Sequence, residues 1–213
     1  MKIKVCGMRD SENISNLVAL KPDYIGFIFY NRSNRFVADF PHVNIPETIK
    51  KVGVFVNEEL TEVLNKVTKY DLDCVQLHGD ESPEYCNDLR RSQGVLESRN
   101  LEVIKAFAVD DSFDFRNTTP YQNYCDYLLF DTKGKDYGGN GIKFNWEILK
   151  NYKGKTPYFL SGGIGPEEQE EFISFLSRPE SDLCEVVDVN SRFEISPGLK
   201  DIKKLKEFKY NLR

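Results

Sequence analysis

The chain has 213 residues, 40% apolar and 30% charged, with 15 Phe and 11 Tyr, which is enough apolar matter for a packed core and too much for a disordered chain. Its net charge of -5, from 29 basic against 34 acidic residues mixed along the chain, argues against a nucleic-acid partner, which needs a basic face. No apolar run approaches the roughly 18 to 20 residues that cross a bilayer, the first ten residues carry no signal-peptide stretch, and five cysteines without a CxxC pair beside only two histidines, His42 and His78, fit neither a disulfide framework nor a metal centre. A protein of the reducing cytoplasm with no membrane partner and no metal is expected.

In chain order, short apolar and β-branched runs alternate with stretches of helical period. Ile3 to Cys6 is the first run, followed by a helix candidate near 10–20. Tyr24 to Phe29 is the second, and the segment 31–46 behind it reads as a loop. Lys51 to Val56 leads to a helix near 58–70, with Asn57 before Glu58 and Glu59 as its start signal. Cys74 to His78 leads to a helix near 82–92 that opens on Ser82 and Pro83. Val103 to Val109 is followed by loop or short turns over 110–124. Tyr127 to Asp131 precedes a glycine-rich loop from Lys133 to Gly141 and a helix near 144–150. Tyr158 to Ser161 precedes a helix near 166–178 that opens on Pro166 and two glutamates, and Glu185 to Val189 precedes a final helix near 199–210.

Eight such repeats predict one domain over 1–213, an α/β fold of the (βα)8 TIM-barrel type, compact because the usual length is about 250 residues, with some short or irregular crossover helices. An open doubly wound sheet fits less well. Its glycine-rich phosphate loop follows the first strand, whereas the glycine pair here follows the seventh.

In a barrel of this kind chemistry collects at the C-terminal strand ends. The first run ends in Cys6-Gly7, the fourth in Gln76-Leu77-His78-Gly79, the sixth in Asp131-Thr132, the seventh in Ser161-Gly162-Gly163 and the eighth in Asp188-Val189-Asn190-Ser191. Strand alternation puts Lys4 and Cys6 on one face and Ile3 and Val5 on the other; with the apolar pair under the helices, Lys4 and Cys6 point into the barrel. An ammonium about 6 to 7 Å from the thiol would pull its pKa below the free value near 8.5. The plain alternatives are a small buried apolar Cys6 and an Asp131 that caps a turn, but the loop behind Asp131 offers no helix start to cap. Gly162 and Gly163, with Asn190, Ser191 and Arg192 after the eighth run, have the makings of a phosphate site built from backbone N–H groups. Arg32 and Arg35 suit a substrate carboxylate or are solvated loop charges, and His78 lines the pocket or serves as a structural hydrogen-bonder. The lysines from Lys200 to Lys209 read as the solvated face of the closing helix.

Seven fragments carry a resemblance along nearly the whole chain: Lys4-Val5-Cys6-Gly7-Met8; Gly26-Phe27 with Ser33-Asn34-Arg35; Val54-Phe55-Val56-Asn57; Val75 to Glu81; Phe130-Asp131 with Gly138 to Gly141; Leu160 to Ile164; and Val187 to Ser191 with Pro197 to Asp201. In this order they resemble the phosphoribosylanthranilate isomerase family. The resemblance implies an Amadori rearrangement in tryptophan biosynthesis, with a small phosphorylated aminoaldose as substrate and neither metal nor redox cofactor. It implies Asp131 as general acid and Cys6 as general base. Arg35 would hold the anthranilate carboxylate, His78 would line the pocket, and Gly162, Gly163, Asn190, Ser191 and Arg192 would hold phosphate. A protonated Asp131 needs a raised pKa, for which the apolar neighbours Leu129 and Phe130 are suited. Arg192 stands where the family usually has glycine, and its side chain either joins the phosphate site or turns outward. Asn34 stands where proline is common, and Asn140 and Ile142 also depart from the usual pattern. The histidine-pathway aminoaldose isomerase, a similar barrel with aspartate in place of Cys6, is the enzymatic rival. A catalytically silent phosphate-binding barrel is the rival of another class. Either a monomer or a homodimer is compatible with the sequence.

Overall fold

The structure, a computed structural model, describes residues 1–92, 101–134 and 144–212. The eight apolar runs form one closed parallel barrel: β1 (Lys2–Val5), β2 (Tyr24–Ile28), β3 (Lys50–Phe55), β4 (Cys74–Leu77), β5 (Glu102–Val109), β6 (Tyr127–Thr132), β7 (Tyr158–Leu160) and β8 (Cys184–Val189), with β8 paired back onto β1. Alternation sorts the side chains. Cys6, Tyr24, Val52, Val54, Cys74, Ile104, Ala106, Leu129, Phe159 and Val186 form one buried cluster, the fill of the barrel. Ile3, Val5, Phe27, Val75, Leu77, Phe130 and Val187 belong to a second cluster shared with the helices. Among the described residues no helix is long and apolar enough to cross a membrane.

Helix α1 (Ser11–Val18) starts on Asp10, whose side chain accepts from Asn13 N–H at 2.7 Å, and buries Ile14 and Leu17 against the sheet. α2 (Leu60–Tyr70) buries Val63 and Val67 and ends on Asp71 at φ 56°. Its expected start signal, Asn57, does something else. Asn57 sits at φ 50°, its Oδ1 accepts from Asp80 N–H at 2.6 Å and its own N–H donates to Glu81, so it ties the loop after β3 to the loop after β4. α3 (Pro83–Ser92) opens as expected, with Ser82 Oγ accepting from Tyr85 N–H at 3.2 Å.

Three expected helices are corrected. The stretch near 144–150 is a 3-10 turn, Trp146–Asn151, because its two buried residues, Trp146 and Leu149, are three apart, which is the repeat of that tighter coil. The stretch 166–178 splits into a 3-10 turn, Pro166–Glu168, and a short α4 (Gln169–Phe175). The last helix, α5 (Ile202–Asn211), starts later than 199, behind an Asp201 cap that accepts from Lys204 N–H at 3.1 Å. The residues ahead of it form a small antiparallel hairpin, β9 (Glu194–Ser196) and β10 (Leu199–Lys200), turned at Gly198, whose φ of +85° favours glycine. The segment 110–124 holds a 3-10 turn, Phe115–Tyr121, in line with the short turns expected there.

Candidate active site

The inward-facing positions that are apolar in the body of the barrel turn polar at its C-terminal mouth. β1 brings Lys4 and Cys6, β4 and the residue after it bring Gln76 and His78, β6 brings Asp131, and β8 brings Asp188. Lys4 lies opposite Asp188 in the β1–β8 register, and its Nζ donates to Asp188 Oδ2 at 2.8 Å with the lysine fully buried. Burial works against the charge on Lys4, but Asp188 and Cys6 outweigh it and hold the ammonium above its ordinary pKa. Burial raises Asp188, Lys4 pulls it back, and Asp131 adds to the rise. Asp188 Oδ1 is buried with no hydrogen-bond partner among the described residues.

Cys6 is buried, and Gly26 on β2 makes room for it: a Cβ there would lie 2.8 Å from its Sγ. The expectation of a depressed thiol pKa is corrected. Burial, the largest influence, pushes the thiol up; Lys4 and Lys200 pull it down and Asp188 adds to the rise. Lys4 meets its nearest anion in Asp188, so the help it gives the thiolate does not cancel desolvation.

Asp131 is 8% exposed. Its Oδ1 accepts from Thr132 N–H at 2.9 Å, and its Oδ2 faces His78 Nε2 at 3.4 Å. His78 Nδ1 lies 2.7 Å from Gln76 Nε2, so a Gln76–His78–Asp131 chain lines one wall of the mouth. Gln76 Oε1, like Asp188 Oδ1, is buried and unpartnered among the described residues.

Gly162 and Gly163 follow β7 at φ +89° and +70°, the region that L side chains avoid, and a Cβ on Gly162 would run into Thr132. After β8, Asn190 Oδ1 accepts from Lys200 Nζ at 2.9 Å, and Ser191–Phe193 forms a 3-10 turn. The Arg192 side chain lies along Gly165, and its Nη2 donates to Glu168 at 3.0 Å and Glu167 at 3.3 Å in the turn that leads into α4. The glycine-rich fragment Gly138 to Gly141, and Asn140 and Ile142 with it, lie outside the described residues.

Arg35 reaches the mouth from the loop after β2. Its stem lies over Gly7, where a Cβ would come within 2.7 Å of its Cδ and 2.8 Å of Asn190 Oδ1; Gly7 itself sits at φ +75°. Its guanidinium is held by Glu194. The sequence reading missed that glutamate, and it placed Lys200 on a solvated helix face. Lys200 is buried, 1% exposed, with its Nζ on Asn190 and Glu194. The Pro197-Gly198 turn signal ahead of it was the available clue.

A family model described as N-(5'phosphoribosyl)anthranilate (PRA) isomerase matches residues 3–211. The N-(5'-phosphoribosyl)anthranilate isomerase of Parabacteroides distasonis is 47% identical over 213 residues, covering 98% of this chain and 91% of that one. A solved phosphoribosyl anthranilate isomerase in complex with reduced 1-(o-carboxyphenylamino)-1-deoxyribulose 5-phosphate superposes with a TM-score of 0.75 at 28% identity, over 99% of this chain and 97% of that one. A Thermotoga maritima structure of monomers generated from a dimeric phosphoribosylanthranilate isomerase gives a TM-score of 0.72 at 29% identity, over 99% and 97%.

Proposed function

The chain belongs to the N-(5'-phosphoribosyl)anthranilate isomerase family, and from that premise we propose how its own residues carry the reaction. The enzyme is an isomerase of tryptophan biosynthesis that acts on a small molecule. It converts the aminoaldose N-(5-phosphoribosyl)anthranilate to the aminoketose 1-(2-carboxyphenylamino)-1-deoxyribulose 5-phosphate. Asp131 gives a proton to the furanose ring oxygen, and the ring opens to a Schiff base. Cys6, as thiolate, takes the proton from C2 of the sugar, and the resulting enolamine tautomerises to the ketone. The reaction is a proton relocation, so one acid and one base suffice.

The observation that carries this reading is the arrival of one thiol and one carboxyl group, Cys6 and Asp131, at the same mouth from the ends of β1 and β6, both facing inward. Arg35 takes the anthranilate carboxylate, and His78 lines the wall beside Asp131. The backbone of Gly162, Gly163, Asn190, Ser191 and Arg192 takes the phosphate. Lys4 and Lys200 favour the Cys6 thiolate against burial. The remote contacts fix the sugar between acid and base, where a displacement of about 1 Å costs on the order of a hundredfold. The whole chain acts as one domain, in the cytoplasm, as a monomer or homodimer. Five free, buried cysteines support the reducing compartment.

Purified protein added to fresh phosphoribosylanthranilate is expected to accelerate the loss of anthranilate-type fluorescence. Cys6→Ser and Asp131→Asn are each expected to lower kcat by about 10²- to 10⁴-fold with the melting temperature little changed. Turnover retained in both variants would remove the acid–base assignment, and decay no faster than the spontaneous background in the parent protein would remove the activity.

A further inference from the structure

The β9–β10 hairpin lies outside the barrel, yet its carboxylate takes four hydrogen bonds at the mouth. Glu194 Oε1 accepts from Arg35 Nε at 2.8 Å, Lys200 Nζ at 2.6 Å and Gly198 N–H at 3.0 Å, while Oε2 accepts from Arg35 Nη2 at 2.7 Å. A guanidinium has five N–H donors in a planar fork and two edges able to grip a carboxylate. Glu194 takes the Nε–Nη2 edge. The Nη1–Nη2 edge has no partner among the described residues, and it is the edge that a second carboxylate would use.

Charge leads to the same place. Arg35 and Lys200 are two cations around one Glu194 carboxylate, so while Cys6 is a thiol the cluster carries one positive charge in excess, the complement of one carboxylate. Neither cation is loose: Lys200 is tied to Asn190 as well as to Glu194, and the Arg35 stem is laid over Gly7, next to Cys6.

We propose that Glu194 is a positioning residue that presents the free edge of Arg35 to the anthranilate carboxylate, with Lys200 leaving the cluster one positive charge for that anion to neutralise. This rests on the reading above, in which Arg35 takes the carboxylate. Glu194 touches no reacting atom. It fixes a binding group in advance, so its loss acts on affinity first.

The test is a steady-state comparison of Glu194→Gln, Arg35→Lys and the double variant on phosphoribosylanthranilate and on the analogue made from aniline, which lacks the carboxylate. Glu194→Gln puts an amide donor against cations and is expected to raise KM for the natural substrate about tenfold or more, with kcat falling less than threefold. It is expected to leave KM for the aniline analogue within twofold and to add nothing further in the Arg35→Lys background. Glu194→Asp keeps the charge on a shorter arm; it serves where the glutamine variant folds poorly and is expected to give a smaller rise of the same kind. A high KM in Arg35→Lys with a normal KM in Glu194→Gln overturns the positioning role and leaves the Arg35 reading intact. Normal KM in both overturns that reading and the proposal together. A Glu194→Gln defect equal on both substrates, or undiminished without Arg35, marks a general structural role and also overturns it.

Discussion

The two ends of the barrel interior are both polar, and they are finished in opposite ways. At the N-terminal end Glu102 collects Cys74 Sγ at 3.2 Å, the Tyr24 hydroxyl at 3.5 Å and the Lys50 ammonium, while Glu185 takes Lys2 at 2.9 Å and the Tyr127 hydroxyl at 3.5 Å. Tyr24 and Tyr127 both pack edge-on against Phe159, at 5.3 and 5.1 Å, and burial pushes their hydroxyls up and keeps them protonated donors. The lysines at this end are partly exposed, at 46% for Lys2 and 42% for Lys50, so their charges stay hydrated. At the C-terminal end the charges of Lys4 and Asp188 are buried, and two acceptors, Asp188 Oδ1 and Gln76 Oε1, remain without partners among the described residues. One end is a satisfied plug. The other holds desolvated groups in place, an arrangement that costs stability and suits chemistry.

Paired substitutions at the two ends test this difference most strongly. Lys4→Met strands a buried carboxylate and is expected to cost about 3 to 5 kcal/mol, with kcat/KM falling at least tenfold. Lys50→Met removes a half-exposed cation from Glu102, which is 16% exposed and keeps the Tyr24 and Cys74 donors, and is expected to cost less, about 1 to 2 kcal/mol, with kcat/KM within twofold. Denaturant unfolding and steady-state rates read both; equal stability losses at the two ends would end the distinction. Adding Asp188→Leu to Lys4→Met sharpens it. Most of the stability is expected to return, and turnover is expected to stay low, since the cation that favours the Cys6 thiolate is gone.

The pH dependence separates the ends next. The Cys6 thiol is raised by burial, so its rate of alkylation by iodoacetamide, read at Cys6 by peptide mass mapping, is expected to climb with pH by at most about tenfold per unit until the Cys6 pKa is reached. The stability linkage has the opposite sign: the raised native pKa contributes below the unfolded value near 8.5 and is lost as pH rises through the folded one. An alkylation rate that has levelled off by pH 9 would contradict a raised Cys6. Cys74 at the plug is raised as well, by burial and then by Glu102, and Cys74→Ala is expected to leave the pH dependence of Cys6 alkylation unchanged.

Arg192→Ala is expected to have the smallest effect. Its guanidinium is engaged with Glu168 and Glu167 and is 36% exposed, so a stability loss under about 1 kcal/mol and a KM within twofold are expected. A tenfold KM rise would place that side chain on the phosphate after all.

What could be read from the sequence follows the range of the forces involved. Period-two alternation is local, so the eight barrel strands are legible to within one residue at either end, the β9–β10 hairpin is not, and the inward direction of Lys4 and Cys6 follows from Ile3 and Val5 alone. The positive-φ glycines after β7 were equally legible, because the dihedral demand belongs to the residue itself. Asp188 was visible as the end of a strand, but its pairing with Lys4 depends on the β1–β8 register, which no local pattern encodes. Lys200 was misread for the same reason. Its run of lysines looks like a helix face, and only the hairpin turned at Gly198 carries it inward to Glu194 and Asn190. The short 3-10 crossovers were blurred because one turn of apolar spacing does not distinguish a period of 3.0 from 3.6.

The Lys4–Asp188 contact joins positions 184 apart across the strand pair that closes the barrel. It therefore marks an order of events during folding. Strands β1 to β7 pair with sequence neighbours and can assemble progressively, whereas the β1–β8 seam requires the longest loop closure in the ring. Until that seam shuts, both ions stay hydrated and two strand edges stay open, at β1 and at the growing end of the sheet. Desolvation of the pair and disappearance of the sticky edges therefore coincide. The ion pair is thus a seal on the barrel: the contact that fills the mouth's floor also closes the last pair of strand edges.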